Sequence, residues 1–484
     1  MLVFLSCTLK ADEEISGLGQ SQKVSTQKCN KSIDLKTVEP ANDPTAKVVL
    51  KKADRLFGLV TIYRAAKQHF AYFEQVPNLD WDQALKDFLP LVEQEQSLLD
   101  YYRTLQHFTA LLKDGHTNVY LPDNLKKQLD NLPLRLGFIE NKWIVIERMP
   151  SKEILEEDIP IGSIVLSIEN VPPAEYFEKN MFPYIAHGTT QGKHNAINWQ
   201  RFFPKNTEIS VKLCYPNGSV HSRIIRANRQ SIKWTEDLYK KYIPSWRLGP
   251  NFLSKTLENN ILYVRYRICN SKNEEAFSHL IETVTLPETM ILDLRGNSGG
   301  STPHKAISHL ISKTIKTSCS KTRCSISSLD ASLPLTIREG DVEEELAEGI
   351  KNAIESGELP KGFFPGWIIS ENELEPNEKH FDGQLILLTN NETASAAEGF
   401  AVALHGNHRA TVIGQPTSGS TGTPIFFDLP GGGKVRICTI NRSYPDGKDF
   451  VGLGIQPDIP VKLTIKGIVE GKDETLENAL SDCK

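Results

Sequence analysis

Residues 383–404 read GQLILLTNNETASAAEGFAVAL, and their order of textures sets the architecture. Leu385-Ile386-Leu387-Leu388 is an unbroken apolar run of strand length. Thr389-Asn390-Asn391-Glu392-Thr393 is a polar turn. Ala394 to Leu404 is a small-residue helix with Phe400, Ala401 and Leu404 at core-facing spacing. Ser395 falls where turn becomes helix. A hydroxyl there lies at the end of a sheet beside the unpaired N–H groups of a helix N-terminus, which suit a developing oxyanion. Read alone, Ser395 serves equally as a helix cap.

The neighbouring sequence alternates strand and helix. Asn260 to Tyr266 reads as a strand, Glu274 to Val284 as a helix, and Thr289 to Leu294 as a strand ending in Arg295-Gly296-Asn297-Ser298-Gly299-Gly300. A helix is expected from about Thr302 to Lys313. The glycines mark a turn where backbone approaches something closely. No Gly-Lys-Ser/Thr follows, so it is not a phosphate loop, and its N–H groups suit an oxyanion. Residues 315–380 read as irregular, with an acidic helix near Asp341 to Ser356 and a turn at Phe363 to Trp367. A strand Ala410–Ile413, the loop 414–423 and a hairpin through Gly431-Gly432-Gly433 come next.

Upstream, residues 8–45 are polar and nearly free of aromatics, a flexible leader. Helical periodicity runs from Ala46 to Leu112 in three segments, a small antiparallel bundle. The last segment runs into Lys113-Asp114-Gly115-His116-Thr117. Gly115 stops the helix and leaves His116 on a loop before the strand Asn118–Leu121, as a surface residue or as a base delivered to a neighbouring site. Residues 130–228 are β-rich. IPIGSIVLSIENVPPAEYF at 159–177 resembles the carboxylate-binding-loop region of PDZ-type modules, where a peptide adds as a strand; a linker sandwich without ligand is the alternative.

The 484 residues have 39% hydrophobic and 24% charged content, an ordinary globular balance for two to four domains. A formal charge of −5 points away from a nucleic-acid platform. No apolar run reaches the roughly 20 residues of a membrane span. The apolar start, MLVFLSC, reads either as the tail of a secretory signal with a possible lipid anchor at Cys7, placing the protein in the periplasm, or as an ordinary N-terminus. Cys319 and Cys324 are close enough in sequence for a small disulfide loop. The other cysteines show no zinc spacing, the twelve histidines include no His-Glu-x-x-His, and no cofactor or metal is expected.

Four motifs in order resemble the S41 serine peptidases, the family of C-terminal processing (tail-specific) proteases and the tricorn core protease. They are DLRGNSGG (293–300), TASAAE (393–398), GQPTSGSTG (414–422) and GLGIQPDIPV (452–461). The resemblance implies a multidomain α+β protein: a leader (1–45), a helical bundle ending in the His116 loop (46–125), a PDZ-like module (130–228), a ClpP/crotonase-like α/β catalytic domain (250–465) and a C-terminal tail (466–484). It implies Ser395 as nucleophile, with Gly300 (or Gly299) and Ala396 as oxyanion donors. The processing branch draws its base from a lysine in the 414–422 loop. Here Ser420 stands at that place and the loop has no lysine, so Ser420→Ala is expected to spare activity. The tricorn-like branch instead uses a histidine after the N-terminal helices, which matches His116. The orienter of His116 is left open between Asp446 and Asp449, near Val451, where that branch has its acid. Asp293 is expected to pin the glycine turn and Glu398 to brace the nucleophile helix. The implied substrate is an extended or unfolded peptide. The alternative is a non-catalytic ligand- or peptide-binding protein on this fold, like the interphotoreceptor retinoid-binding proteins. An α/β-hydrolase is excluded because Ala394-Ser395-Ala396 lacks the Gly-x-Ser-x-Gly elbow.

Overall fold

The computed structural model describes residues 49–484 apart from 153, 155–157, 230–231, 234, 245–246, 248, 324–366 and 484. The leader, Cys7, Cys324 and the stretch expected as an acidic helix lie outside the described residues.

A six-stranded sheet carries the site. Its spatial order is Ile459–Pro460, Thr411–Gly414, Gln384–Thr389, Thr289–Asp293, Leu262–Tyr266 and Phe252–Thr256. The first five strands run parallel and the last antiparallel. The run Leu385 to Leu388 is apolar at every position because both faces of its strand are covered. Leu385 and Leu387 join the large core with Phe277 and Phe400, whereas Ile386 and Leu388 meet Ala479 and Leu476 on the opposite face. Burying each such side chain contributes roughly 1.5–3 kcal/mol. The segment expected as a C-terminal tail is therefore part of this layer: the helix Glu474–Asp482 closes the second face.

The three N-terminal helices are Lys52–His69, Trp81–Glu93 and Leu98–Ala110. Asp80 and Ser97 start the second and third by accepting from the N–H groups of Gln83 and Asp100. These helices have no core of their own. Leu59, Tyr101 and Phe108 belong to the same buried cluster as Val435, Ile437 and Phe400. The Tyr72 hydroxyl reaches the carbonyls of Thr421 and Ile440, and that of Tyr102 reaches Pro430. The bundle is docked on the layer of the six-stranded sheet, and this docking delivers the His116 loop.

Residues 134–226 form a five-stranded antiparallel sheet with a separate core. The strand Ile164–Ile168, part of the stretch that resembles a PDZ-type carboxylate-binding-loop region, lies inside this sheet. It pairs with Lys142–Arg148 on one side and Glu208–Cys214 on the other. The first of these pairings is a single residue pair, Ile144 with Ile164, and the second shifts register between Val165 and Ser167.

Two further expectations are corrected. The helix after the glycine turn spans only His304–Ser308. The region read as irregular from 315 begins and ends in long strands, Ile315–Arg323 and Trp367–Leu374, paired antiparallel. Ile315–Arg323 also pairs with Ile440–Ser443, a partner too distant in sequence for local pattern to reveal.

Candidate active site

Ser395 precedes the helix Ala396–His405 with φ 55° and ψ −127°, a conformation that favours glycine. Holding a serine there costs about 1–3 kcal/mol. The backbone around it is clamped on two sides. Ala394 N–H donates to the Asn297 carbonyl (3.0 Å) and Thr393 Oγ1 to that of Leu294 (3.0 Å). Ser395 N–H donates to the Ser420 carbonyl (2.8 Å), and Ser418 N–H to that of Thr393 (2.9 Å). The Ser395 hydroxyl makes no capping bond to its helix. It lies instead 3.2 Å from His116 Nε2. The cap reading of Ser395 is thereby displaced.

His116 is buried and reaches Ser395 because its loop is built for close approach. Its N–H donates to Asp114 Oδ1 (3.2 Å), and Thr117 Oγ1 accepts from Cys438 N–H (2.9 Å). Arg436 donates to the Gly115 carbonyl (2.7 Å). A side chain at Gly115 would put its Cβ 2.4 Å from Ser420 Oγ, so it would displace the hydroxyl that meets His116. Burial, with Arg436, His187 and Arg442 nearby, pushes the imidazole down to about 3, and the ring is neutral at physiological pH.

The other ring nitrogen, Nδ1, lies 2.8 Å from Ser420 Oγ. Ser420 thus occupies the orienting place that sequence reasoning sought at Asp446 or Asp449. Asp446 is exposed and paired with Lys448 at 3.0 Å, and Asp449 lies exposed beside Ser443. Val451 is buried and offers its carbonyl to Gln75. The sequence signal for Ser420 was present: a hydroxyl stands where the related branch has a functional lysine.

Glu398 explains why Ser420 is so placed. Its buried carboxylate accepts from Thr417 Oγ1 (2.5 Å), Gly419 N–H (2.6 Å), Ser420 N–H (3.0 Å) and Thr421 Oγ1 (2.6 Å). Burial raises its pKa, and these four bonds offset that only in part. Glu398 therefore braces the loop as well as its own helix.

Across the cleft, Asp293 accepts from Arg295 N–H (3.0 Å), Nε (2.9 Å) and Nη2 (2.7 Å) and from the Tyr263 hydroxyl (2.7 Å). Arg295 also meets Asp473 at 2.6 Å. The turn this anchors presses Gly299 on Ser395: a Cβ at Gly299 would lie 2.6 Å from Ser395 Cβ. Gly299 N–H is taken by Asn297 Oδ1 (2.9 Å). Among the described residues, neither Gly300 N–H nor Ala396 N–H has a hydrogen-bond acceptor. Ala396 opens the helix, where no intrahelical acceptor exists.

Sequence reasoning overlooked two further features. His187 lies beside the His116 loop, its Nε2 3.1 Å from Ser418 Oγ, and burial lowers it to about 4. Arg135 and Arg247 each contact both Glu147 and Glu392, a closed ring of four charges between the five-stranded module and the turn before Ser395. Such pairs join residues up to 257 positions apart, and no periodicity reports them.

Comparison with known proteins agrees with this layout. Residues 260–461 match the profile described as peptidase family S41. The chain is 36% identical over 92 residues to the carboxy-terminal-processing protease of Bartonella bacilliformis, covering 19% of this chain and 21% of that one. It is 35% identical over 89 residues to the carboxyl-terminal-processing protease of Synechocystis, covering 18% and 21%. The matches thus span about a fifth of these relatives' length. The structure of mature CPAF complexed with lactacystin superposes with TM-score 0.66 at 16% identity, over 89% of this chain and 97% of that one, which shows a shared fold. The segment holding the glycine turn, Ser395 and Ser420 belongs to peptidase family S41.

Proposed function

We propose that the protein is a serine endopeptidase acting on extended or unfolded polypeptides, with Ser395 as nucleophile and His116 as general base. The carrying observation is that His116 bridges two serines, Ser395 at 3.2 Å and Ser420 at 2.8 Å. In the productive tautomer, Nδ1–H donates to Ser420 Oγ and Nε2 accepts the Ser395 proton. A serine hydroxyl needs such a base at neutral pH. Attack on a peptide carbonyl forms the tetrahedral intermediate, and Gly300 and Ala396 N–H groups receive its oxyanion. His116 then returns the proton to the leaving amine, and water hydrolyses the acyl-enzyme by the same route. Each oxyanion donor is worth about 3–4 kcal/mol of transition-state stabilisation.

Ser420 is the positioning residue for His116. It holds the tautomer without carrying the negative charge a carboxylate would bring. The five-stranded module is the proposed site for docking the substrate's distal part at a free edge. An extracytoplasmic location is part of this proposal; among the described residues no helix is long and apolar enough to cross a membrane.

The test is degradation of denatured casein by wild type, Ser395→Ala and His116→Ala, with active-site titration by a serine-reactive phosphonate. Both variants are expected to lose at least ~10³-fold in kcat/KM while keeping the wild-type melting temperature within a few degrees. Full activity in His116→Ala would remove the histidine from the mechanism.

A further inference from the structure

Beside the His116 loop opens a cavity of about 630 Å³. It falls within the ~300–1,000 Å³ usual for ligand sites. One end is formed by Gly115 and Ser418, neighbours of His116 and Ser420. Around the rest stand four cationic side chains, Lys126, Arg201, Lys434 and Arg436, against a single carboxylate, Asp123. The chain as a whole carries a formal charge of −5, so this concentration of positive charge runs against its composition.

The two arginines are held by neutral acceptors. Arg201 donates to the Lys126 carbonyl at 2.6 Å, and Arg436 to the Gly115 carbonyl and Asn118 Oδ1. The two lysines are exposed. Lys434 approaches Asp428 at 3.3 Å, an exposed pair of little strength. Lys126 forms no ion pair among the described residues. Positive charge thus remains in a concave site, where low-dielectric walls focus it.

We infer that this cavity is a specificity subsite for a carboxylate-bearing stretch of the substrate, with acidic side chains as the intended occupants. The inference rests on the peptidase reading for the word substrate, whereas its charge argument does not. A peptide threading past the His116 loop would place Asp or Glu side chains among the four cations while its apolar parts meet Tyr120, Tyr184 and Trp199 on the same walls. Lys126 and Lys434 are the residues that set the preference.

The test measures binding without turnover, using the full-length Ser395→Ala protein and fluorescein-labelled peptides of one apolar frame. One set carries three Asp or Glu, the other Asn or Gln, each with a free or an amidated C-terminus. The acidic peptide is expected to bind at least roughly tenfold tighter at low salt, with most of that advantage gone at about 0.5 M salt. Lys126→Gln and Lys434→Gln should each weaken the acidic peptide by about three- to tenfold and leave the neutral one unchanged. Lys127→Gln, on the same helix but outside the cavity, should change nothing. Equal affinity for acidic and neutral peptides of both terminal forms overturns the inference, as does an equal effect of Lys126→Gln and Lys127→Gln. A lysine-dependent preference that follows the free C-terminus alone upholds the carboxylate subsite and assigns its source to the chain end. Should wild type degrade nothing while this binding pattern holds, the peptidase reading fails and the cationic subsite stands.

Discussion

Glu392 and Glu398 lie three residues on either side of Ser395, both buried, and they are satisfied in opposite ways. Glu392 meets two guanidinium groups, Arg135 and Arg247. Burial alone would raise its pKa, but the two arginines overcome that and hold it below the usual carboxylate range. Glu398 has only hydroxyl and amide donors, and burial leaves its pKa raised. The difference follows what each must hold. Glu392 ties the turn before Ser395 to a separate module, and strong attraction between opposite charges bridges two cores. Glu398 shapes a tight loop beside His116, where directional hydrogen bonds fix geometry. A guanidinium in that second place would add positive charge beside the His116 imidazole, which becomes cationic in the proposed mechanism.

The comparison breaks most visibly at Glu392. Glu392→Ala leaves buried Arg135 and partly buried Arg247 sharing one glutamate and is expected to cost about 3–5 kcal/mol in chemical denaturation. Retained stability would show the ring to be dispensable. Glu398→Ala strands two hydroxyls and two amides, with an expected loss of about 1–3 kcal/mol and a larger proportional drop in kcat than in stability. Ser420→Ala sharpens the contrast, since it removes an orienter and no anchor: kcat should fall roughly 10- to 100-fold with KM and melting temperature nearly unchanged. The earlier expectation of unaltered activity in this variant is thereby reversed.

The smallest effects are those of pH. Glu392 has a lowered folded pKa, so its contribution is present above the unfolded value and lost as pH falls through the folded one. Glu398 has the opposite sign: its contribution is present at low pH and lost as pH rises through its raised value. Stability of Glu398→Gln relative to wild type should therefore improve as pH increases, and that of Glu392→Gln should worsen. The histidines add a common acid limb. His69 and His187 are lowered to about 4 and His116 to about 3, burial being the main cause in each. Each binds protons more readily when unfolded, so stability should decline as pH falls from about 6.5 toward 4. kcat/KM should stay flat over the same range until unfolding intervenes, because His116 stays neutral; a kinetic pKa near 6.5 would contradict that.

The strand, turn and helix that carry Ser395 were legible because their signals are local. An apolar run, a polar turn and a small-residue helix occupy 22 consecutive residues, 383–404. The glycine turn was legible for the same reason, since close backbone approach demands glycine at Gly299. Ser420 was visible as an oddity and misjudged, because its partner lies 304 residues away. The acids near Val451 misled because a motif fixes order along the chain, whereas a side chain's direction depends on the turn that bears it.

Sequence alone determined the alternation of strand and helix, the turn that bears Ser395, the lack of a lysine in the 414–422 loop and the candidacy of His116. All of these rest on residue type and short-range period. Tertiary structure alone decided that the helical bundle shares its core with the sheet, that His116 meets Ser395 across 279 residues, and that Ser420 holds the far side of its ring. The physical reason is burial. The same exclusion of water that packs the helices on the sheet brings the loops together, and every polar group caught there must find a partner, however distant in the chain.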